Sequence, residues 1–336
     1  MHVTIPKANE LEQQVFNIHN EKEFESIALA VFRFQFAHNP VYRQYCEAIH
    51  RTPRDVIGLH SIPFLPISFF KTHEVVADSR EAALIFTSSG TTGSSTSRHF
   101  VKSPALYETS FRKGFREFYG NIENWCILGL LPSYLERQGS SLVYMVDHLV
   151  KDSKHPDSGF YLRDTAALAA TLDRLEKAEQ PVILIGVTYA LLDFAKSFPR
   201  PLKHCIIMET GGMKGRQKEI TRQELYGHLK EAFGIKEIHA EYGMTELLSQ
   251  AYGREGLFHT PPWMKVLIRD ETDPLSHYDI KEKALAGGIS VVDLANLYSC
   301  SFIATEDIGR GHPGGAFEVL GRLDHSDTRG CSLLAI

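Results

Sequence analysis

The spacing of apolar residues divides the chain into three stretches of different character. Early on, Val15, Ile18, Phe24, Ile27, Ala28, Val31 and Phe32 recur at intervals near three and four, the signature of amphipathic helix. Asn39-Pro40 interrupts that pattern, and a second helix is predicted over residues 41–49. Pro63 and Pro66 keep residues 62–70 out of helix, which predicts an extended segment. Residues 82–87 form an apolar run that predicts a short buried strand. It empties into residues 88–97, which are all glycine, serine or threonine.

From there the period switches back and forth. Helices are predicted over residues 105–119, 139–150, 163–178, 191–197 and 221–233, and strands over 125–132, 181–187, 203–208 and 235–240. Thr221 caps the last of these helices, with Glu224 as its capping-box partner. Strands alternating with such helices predict an α/β fold of layered parallel sheets with helices on both faces. The final stretch differs: residues 263–269, 288–293, 301–304 and 316–320 are short, β-like and separated by glycine and charged turns. They predict a small C-terminal β layer. No internal repeat or low-complexity tail is evident.

With 336 residues the chain exceeds what one core usually fills, roughly 250–300 residues. The expected organisation is an N-terminal helical region over residues 1–80, an α/β core over 81–260 and a β-rich layer over 261–336. Lys and Arg number 36 against 41 Asp and Glu, a net charge of −5, which gives no electrostatic footprint for nucleic acid or an anionic membrane. The five cysteines are widely spaced with no CxxC pair, so neither a disulfide framework nor a zinc cluster is expected. No signal peptide is evident, and no apolar run approaches the roughly 20 residues that span a bilayer. The expectation is a reduced, cytoplasmic protein without integral membrane contact.

Three segments carry candidate chemistry. A strand leading through Ser88-Ser89-Gly90-Thr91-Thr92-Gly93 to a helix offers N–H groups and hydroxyls that can surround phosphate oxygens. It lacks the lysine of a P-loop, and a flexible surface loop is the alternative. Glu241-Tyr242-Gly243-Met244-Thr245-Glu246 follows a predicted strand, where parallel sheets place ligands. A carboxylate beside a hydroxyl there could hold Mg²⁺ against a phosphate; the alternative is a helix N-terminus capped by Thr245. Thr305-Glu306-Asp307-Ile308-Gly309-Arg310 and Val319-Leu320-Gly321-Arg322-Leu323-Asp324 put an acid and an arginine where a ribose or phosphate could sit, or form two charged hairpin turns.

In this order the segments resemble the adenylate-forming superfamily of acyl and aryl ligases, and most closely the acyl-protein synthetases of bacterial luminescence operons. Supporting stretches are Phe64-Leu65-Pro66-Ile67-Ser68-Phe69-Phe70-Lys71, Leu131-Pro132-Ser133-Tyr134, Met208-Glu209-Thr210-Gly211-Gly212-Met213-Lys214-Gly215 and Arg329-Gly330-Cys331. The resemblance runs from about residue 40 to the end. It implies the adenylate-forming N-terminal-domain fold, with residues 81–260 as the adenylate-binding core. It also implies ATP and Mg²⁺ as cofactors and a carboxylic acid as substrate.

By the same resemblance, the loop from Ser88 onward holds the β- and γ-phosphates, Gly211 and Gly212 pack along adenine, and Tyr242, beside Gly243, stacks on it. Thr245 contacts the α-phosphate and Glu246 holds Mg²⁺. Asp307 takes the ribose hydroxyls with help from Arg322, and Asp324 matches the hinge. Where the superfamily's phosphate loop carries a lysine, this chain has Thr96, with Arg98 nearby. From the hinge position on only residues 324–336 remain, where the superfamily usually continues into a further lobe with a catalytic lysine.

The luminescence-type enzymes pass the acyl group to a cysteine near their C-terminus, and Cys331 stands in the matching place, with Arg329 positioned to favour its thiolate. An ordinary buried cysteine is the alternative. The reading is therefore ATP-dependent activation of a carboxylic, fatty acid to an acyl-adenylate, with transfer to Cys331 or to a partner acceptor protein or reductase. The alternatives are an aryl- or acyl-CoA ligase, or a catalytically weak nucleotide- or acyl-binding protein. His99, His312 and His325 are candidate ligand contacts or surface residues.

Overall fold

A computed structural model describes residues 5–77, 81–88, 96–133, 136–211, 220–270, 272–278 and 284–322. The helices are α1 (Ala8–Gln14), α2 (Glu21–His38), α3 (Pro40–Ala48), α4 (Phe69–Thr72), α5 (Pro104–Tyr119), α6 (Ser141–Ser153), α7 (Thr165–Lys177), α8 (Thr188–Ser197) and α9 (Arg222–Phe233). The strands begin with β1 (Leu65–Pro66), β2 (Leu84–Thr87), β3 (Arg98–Val101), β4 (Cys126–Leu130), β5 (Gly159–Phe160), β6 (Val182–Val187), β7 (Cys205–Thr210) and β8 (His239–Tyr242). They continue with β9 (Ala251–Arg254), β10 (Leu257–His259), β11 (Met264–Arg269), β12 (His277–Tyr278), β13 (Leu285–Asp293), β14 (Phe302–Gly311) and β15 (Phe317–Arg322). No helix among the described residues is long and apolar enough to cross a membrane.

The N-terminal amphipathic run resolves into three helices because two asparagines restart it. Asn20 and Asn39 each accept a hydrogen bond from the amide three residues on, at 3.0 Å, and Pro40 takes the first position of α3. Phe69 and Phe70, expected to be extended, open α4 instead. Pro66 restricts only its own φ and the residue before it, and one helical turn is enough to bury Phe70 completely. At α9 the predicted capping box is present, Thr221 and Glu224 exchanging bonds at 3.2 and 2.8 Å. Thr221→Ala should therefore lower stability by about 1 kcal/mol, seen as a reduced urea midpoint at unchanged slope.

Strands β5, β4, β6, β7 and β8 run parallel in that order. Their residues alternate between two cores. Ile127, Ile183, Ile185 and Met208 face the core built with the N-terminal helices, α5 and α6, while Cys126, Leu128, Leu184 and Ile207 face α7, α8 and α9. Both faces are covered, as the uninterrupted apolar runs of β4 and β6 require. Beyond β8 the sheet turns antiparallel through β9, β10, β15, β14, β13, β11 and β12, with β1 added parallel to β14. The C-terminal strands are thus hydrogen-bonded into the same sheet, joined by the β9–β10 hairpin, whose strands are too short to signal in the sequence.

β2 and β3 form a separate antiparallel pair, and here two expectations are corrected. β2 is not buried throughout: Phe86 is enclosed, but Ile85 is 46 % exposed, since an edge hairpin has one covered face. The Ser/Gly/Thr loop also leads into β3 rather than into a helix. The reason lies in residues 98–101, where Arg98, His99, Phe100 and Val101 alternate out and in.

Candidate active site

The parallel strands β6, β7 and β8 end side by side, with Val187 opposite Thr210 and Thr210 opposite Glu241. Their carboxyl ends form the edge where open α/β sheets bind ligands. Gly211 leaves β7 with φ +66°, a left-handed conformation that glycine adopts without strain. The Thr188 hydroxyl, first in α8, lies 2.5 Å from Glu209 Oε1 and 3.1 Å from the Gly211 carbonyl. On the other face Thr210 donates to Glu241 Oε2 at 2.5 Å. Gly243 has no side chain for a reason: a Cβ there would lie 2.5 Å from Glu241 Oε1. Burial pushes the Glu241 carboxyl up to about 7, Glu209 adding to the rise and Thr210 opposing it.

Tyr242 closes β8. Its ring lies against Phe258 and edge-on to Phe317, at 5.8 and 5.4 Å between centroids, and its hydroxyl donates to Asp307 Oδ2 at 2.8 Å. Asp307 sits in β14 directly opposite Arg322 in β15, whose Nε is 3.9 Å from Asp307 Oδ1 and whose Nη2 is 3.4 Å from Glu306 Oε2. Lys71 approaches Glu306 from α4 at 3.8 Å. The segment around Asp307 is therefore the interior of a long strand, not a hairpin turn. The sequence obscured this because Gly309 and Gly311 look like turn residues. Gly309 instead admits close packing, where a Cβ would meet the Glu318 carbonyl at 2.6 Å.

After Tyr242 the chain makes turns, not a capped helix, through Thr245 and Glu246. Asp293 replaces the helix as organiser: its Oδ2 accepts from the amides of Leu248 and Ser249 at 2.7 and 3.0 Å, and its Oδ1 from the Ser249 hydroxyl at 2.6 Å. Burial raises the Asp293 carboxyl to about 6 despite these donors. The carbonyls of the turn are held too, Thr245 O by His99 Nδ1 and Glu246 O by Asn296 Nδ2, each at 2.8 Å. His99 is completely buried, which corrects its reading as a ligand contact or surface residue. Sequence reasoning missed the anchoring role of Asp293, Asn296 and His99; the only signal was the in–out alternation that marks His99 as inward.

Glu246 is 5 % exposed on a turn whose backbone is fixed. Mg²⁺ in nucleotide sites takes one or two carboxylates and completes its shell with phosphate oxygens and water. A buried carboxylate on a fixed turn, next in sequence to Thr245, fits that ion. Among the described residues no cluster of three or more His, Cys, Asp or Glu forms a protein-only metal cage.

At the mouth of the Ser/Gly/Thr loop, Ser88 N donates to the Ser97 carbonyl at 3.1 Å and Ser97 N to the Ser88 hydroxyl at 3.0 Å, pinning its two ends together. Ser89, Gly90, Thr91, Thr92 and Gly93 lie outside the described residues, as do Gly212, Asp324 and Cys331. The structure thus brings together Gly211, Tyr242, Gly243, Thr245 and Glu246 at one edge, with Asp307 and Arg322 joined to them through Tyr242.

Solved structures share this architecture. An open conformation of 2-hydroxyisobutyryl-CoA ligase in complex with 2-HIB-AMP and CoA matches with a TM-score of 0.66 at 13 % identity, over 96 % of this chain and 80 % of its own. The same ligase in its postadenylation state, with R3-HIB-AMP, gives 0.66 at 13 %, over 96 % and 72 %. ATP-bound MatB from Rhodopseudomonas palustris gives 0.52 at 17 %, over 73 % of this chain and 49 % of that one. The fold is that of the adenylate-forming acyl-CoA ligases. The chain belongs to the acyl-protein synthetase family, LuxE, whose family profile it matches over residues 11–335. Comparison with curated proteins finds no match.

Proposed function

We propose that this protein uses ATP and Mg²⁺ to activate a fatty acid as its acyl-adenylate and then passes the acyl group to the thiol of Cys331. The observation that carries the first half is the link, through Tyr242, between the Thr245–Glu246 turn and the Asp307–Arg322 pair at the carboxyl edge of the sheet. A carboxylate oxygen of the acid attacks the α-phosphorus of ATP, and the bond to pyrophosphate breaks. Both reactants are anions, so the work of the site is to hold them in line and offset their charge. Asp307 accepts from the ribose hydroxyls while Tyr242 fixes its orientation, and Thr245 donates to the α-phosphate. Glu246 would hold Mg²⁺, which supplies positive charge to the phosphates.

In the second half the Cys331 thiolate attacks the acyl carbonyl, the bond to AMP breaks, and a thioester forms. The other thiols are poor candidates. Cys46, Cys126, Cys205 and Cys300 are all buried, and burial raises Cys46 to about 12, Cys126 to about 11 and the other two further. A reducing, cytoplasmic setting would keep the Cys331 thiol free, and the thioester would then serve an acceptor protein or a reductase.

The test is carboxylate-dependent ATP–pyrophosphate exchange against fatty and aryl acids, followed by labelling with the preferred acid. Exchange with fatty acids and a hydroxylamine-labile acyl label are expected, and Cys331→Ser should keep the exchange and lose the label. Free acyl-CoA as the product, without a protein label, would overturn the transfer to cysteine. ATP binding with no exchange for any acid would overturn adenylation itself.

A further inference from the structure

The mechanism above makes no use of His99, yet both nitrogens of this fully buried ring are engaged next to the site. It sits in β3, two residues past Ser97, where the Ser/Gly/Thr loop closes. Phe70 of α4 packs edge-on to it at 5.8 Å. Its Nδ1 is 2.8 Å from the Thr245 carbonyl and its Nε2 is 3.0 Å from Asn296 Oδ1. The orientation of the Asn296 amide is settled by its other end. Nδ2 lies 2.8 Å from the Glu246 carbonyl and 2.9 Å from the Cys300 carbonyl, and only an NH₂ group can meet two acceptors. Oδ1 therefore must face His99, and both nitrogens of the ring face acceptors.

We propose that His99 is a positioning residue of the adenylation site, tying the strand that leaves the phosphate loop to the turn that carries Thr245 and Glu246. This rests on the adenylation reading and adds to it the part that sets β3 relative to the turn. The ring reaches the turn twice: directly at the Thr245 carbonyl, and through Asn296 at the Glu246 carbonyl. Burial keeps the ring neutral at neutral pH, so it donates to one of its two acceptors at a time, and either tautomer leaves one of the two routes to the turn bonded. Phenylalanine fills the same space and donates to neither. Glutamine places an NH₂ near the position of Nε2 and can still donate to Asn296 Oδ1, keeping the route through Asn296 to the Glu246 carbonyl. Because in-line attack tolerates little misplacement, loosening this tie should act on turnover more than on nucleotide binding.

The experiment compares His99→Phe and His99→Gln with the parent protein, using hydrogen exchange across the turn and the kinetics of pyrophosphate exchange. The amides of Leu247, Leu248 and Ser249 bond to the Met244 carbonyl and to Asp293, so they report the order of the turn directly. In His99→Phe these amides should exchange at least about tenfold faster while the central strands keep their protection. Turnover should fall about 10–100-fold with KM for ATP within about threefold. His99→Gln should recover part of both. Unchanged protection and turnover in His99→Phe would overturn the proposal. So would equal losses of turnover, ATP affinity and thermal stability in both variants, which is the pattern of a merely structural residue. Should the parent protein show no acid-dependent exchange, the adenylation reading falls. The hydrogen-exchange arm then still decides the tie: faster exchange supports it and unchanged exchange refutes it.

Discussion

Glu246→Gln is expected to lower acid-dependent pyrophosphate exchange by about 10²–10³-fold, the usual loss when one oriented charge-stabilising group is removed from a water-excluded site. The replacement keeps the size and shape of the side chain and removes only its charge. The turn around it is held by bonds that do not involve this side chain: Asn296 to the Glu246 carbonyl, His99 to the Thr245 carbonyl and Asp293 to the following amides. The fold should survive, with a thermal midpoint near that of the parent. Steady-state exchange at saturating ATP and acid, with Mg²⁺ titrated, is the measurement. A variant exchanging within a few-fold of the parent would remove Glu246 from the assignment and leave the turn with no metal-binding role.

The parts of the fold that the sequence revealed are those with a strong period or a decisive local residue. β4 and β6 stand out as uninterrupted apolar runs because both faces are buried, and α9 stands out through Thr221 and Glu224. The hidden parts depend on partners distant in the chain. β3 follows a run of small polar residues and shows only four alternating positions. β14 carries Glu306, Asp307, Gly309 and Arg310 yet is a continuous strand, because Lys71 and Arg322 pair with Glu306, Arg322 lies beside Asp307, and β15 closes over Gly309.

The site divides in the same way. The motif residues Tyr242, Thr245, Glu246 and Asp307 could be placed from short local patterns. Their supports could not, because Asn296 is 50 residues from Glu246 and His99 is 146 from Thr245. The local alternation over residues 98–101 marks His99 as inward, but nothing in that window says what its ring holds.

Glu241 supplies the second large expected effect, and it concerns stability as a function of pH. Burial pushes its carboxyl up from an ordinary value of about 4.5 to about 7 in the folded protein. A group whose folded pKa is raised favours the folded state in its protonated form. Its contribution is complete below about 4.5 and is lost as the pH rises through about 7. The loss is on the order of 3 kcal/mol. Glu241→Gln imitates the protonated form and cannot ionise. The variant should match the parent near pH 4 and exceed its stability by up to on the order of 3 kcal/mol at pH 8.

Other groups also shape the absolute profile. His99 and His277, both lowered to about 4, contribute fully above 6.5 and lose that contribution as the pH falls. Asp293, raised to about 6, behaves like Glu241 at lower pH. These terms are common to both proteins and cancel in the difference, so urea unfolding of the pair across pH 4–8 isolates Glu241. A constant difference across that range would show that Glu241 does not titrate within it. A difference that grows with pH would establish that the strand feeding the nucleotide turn carries a carboxylate destabilising at neutral pH. Such a cost beside a ligand edge is what a functional group, rather than a packing residue, is expected to impose.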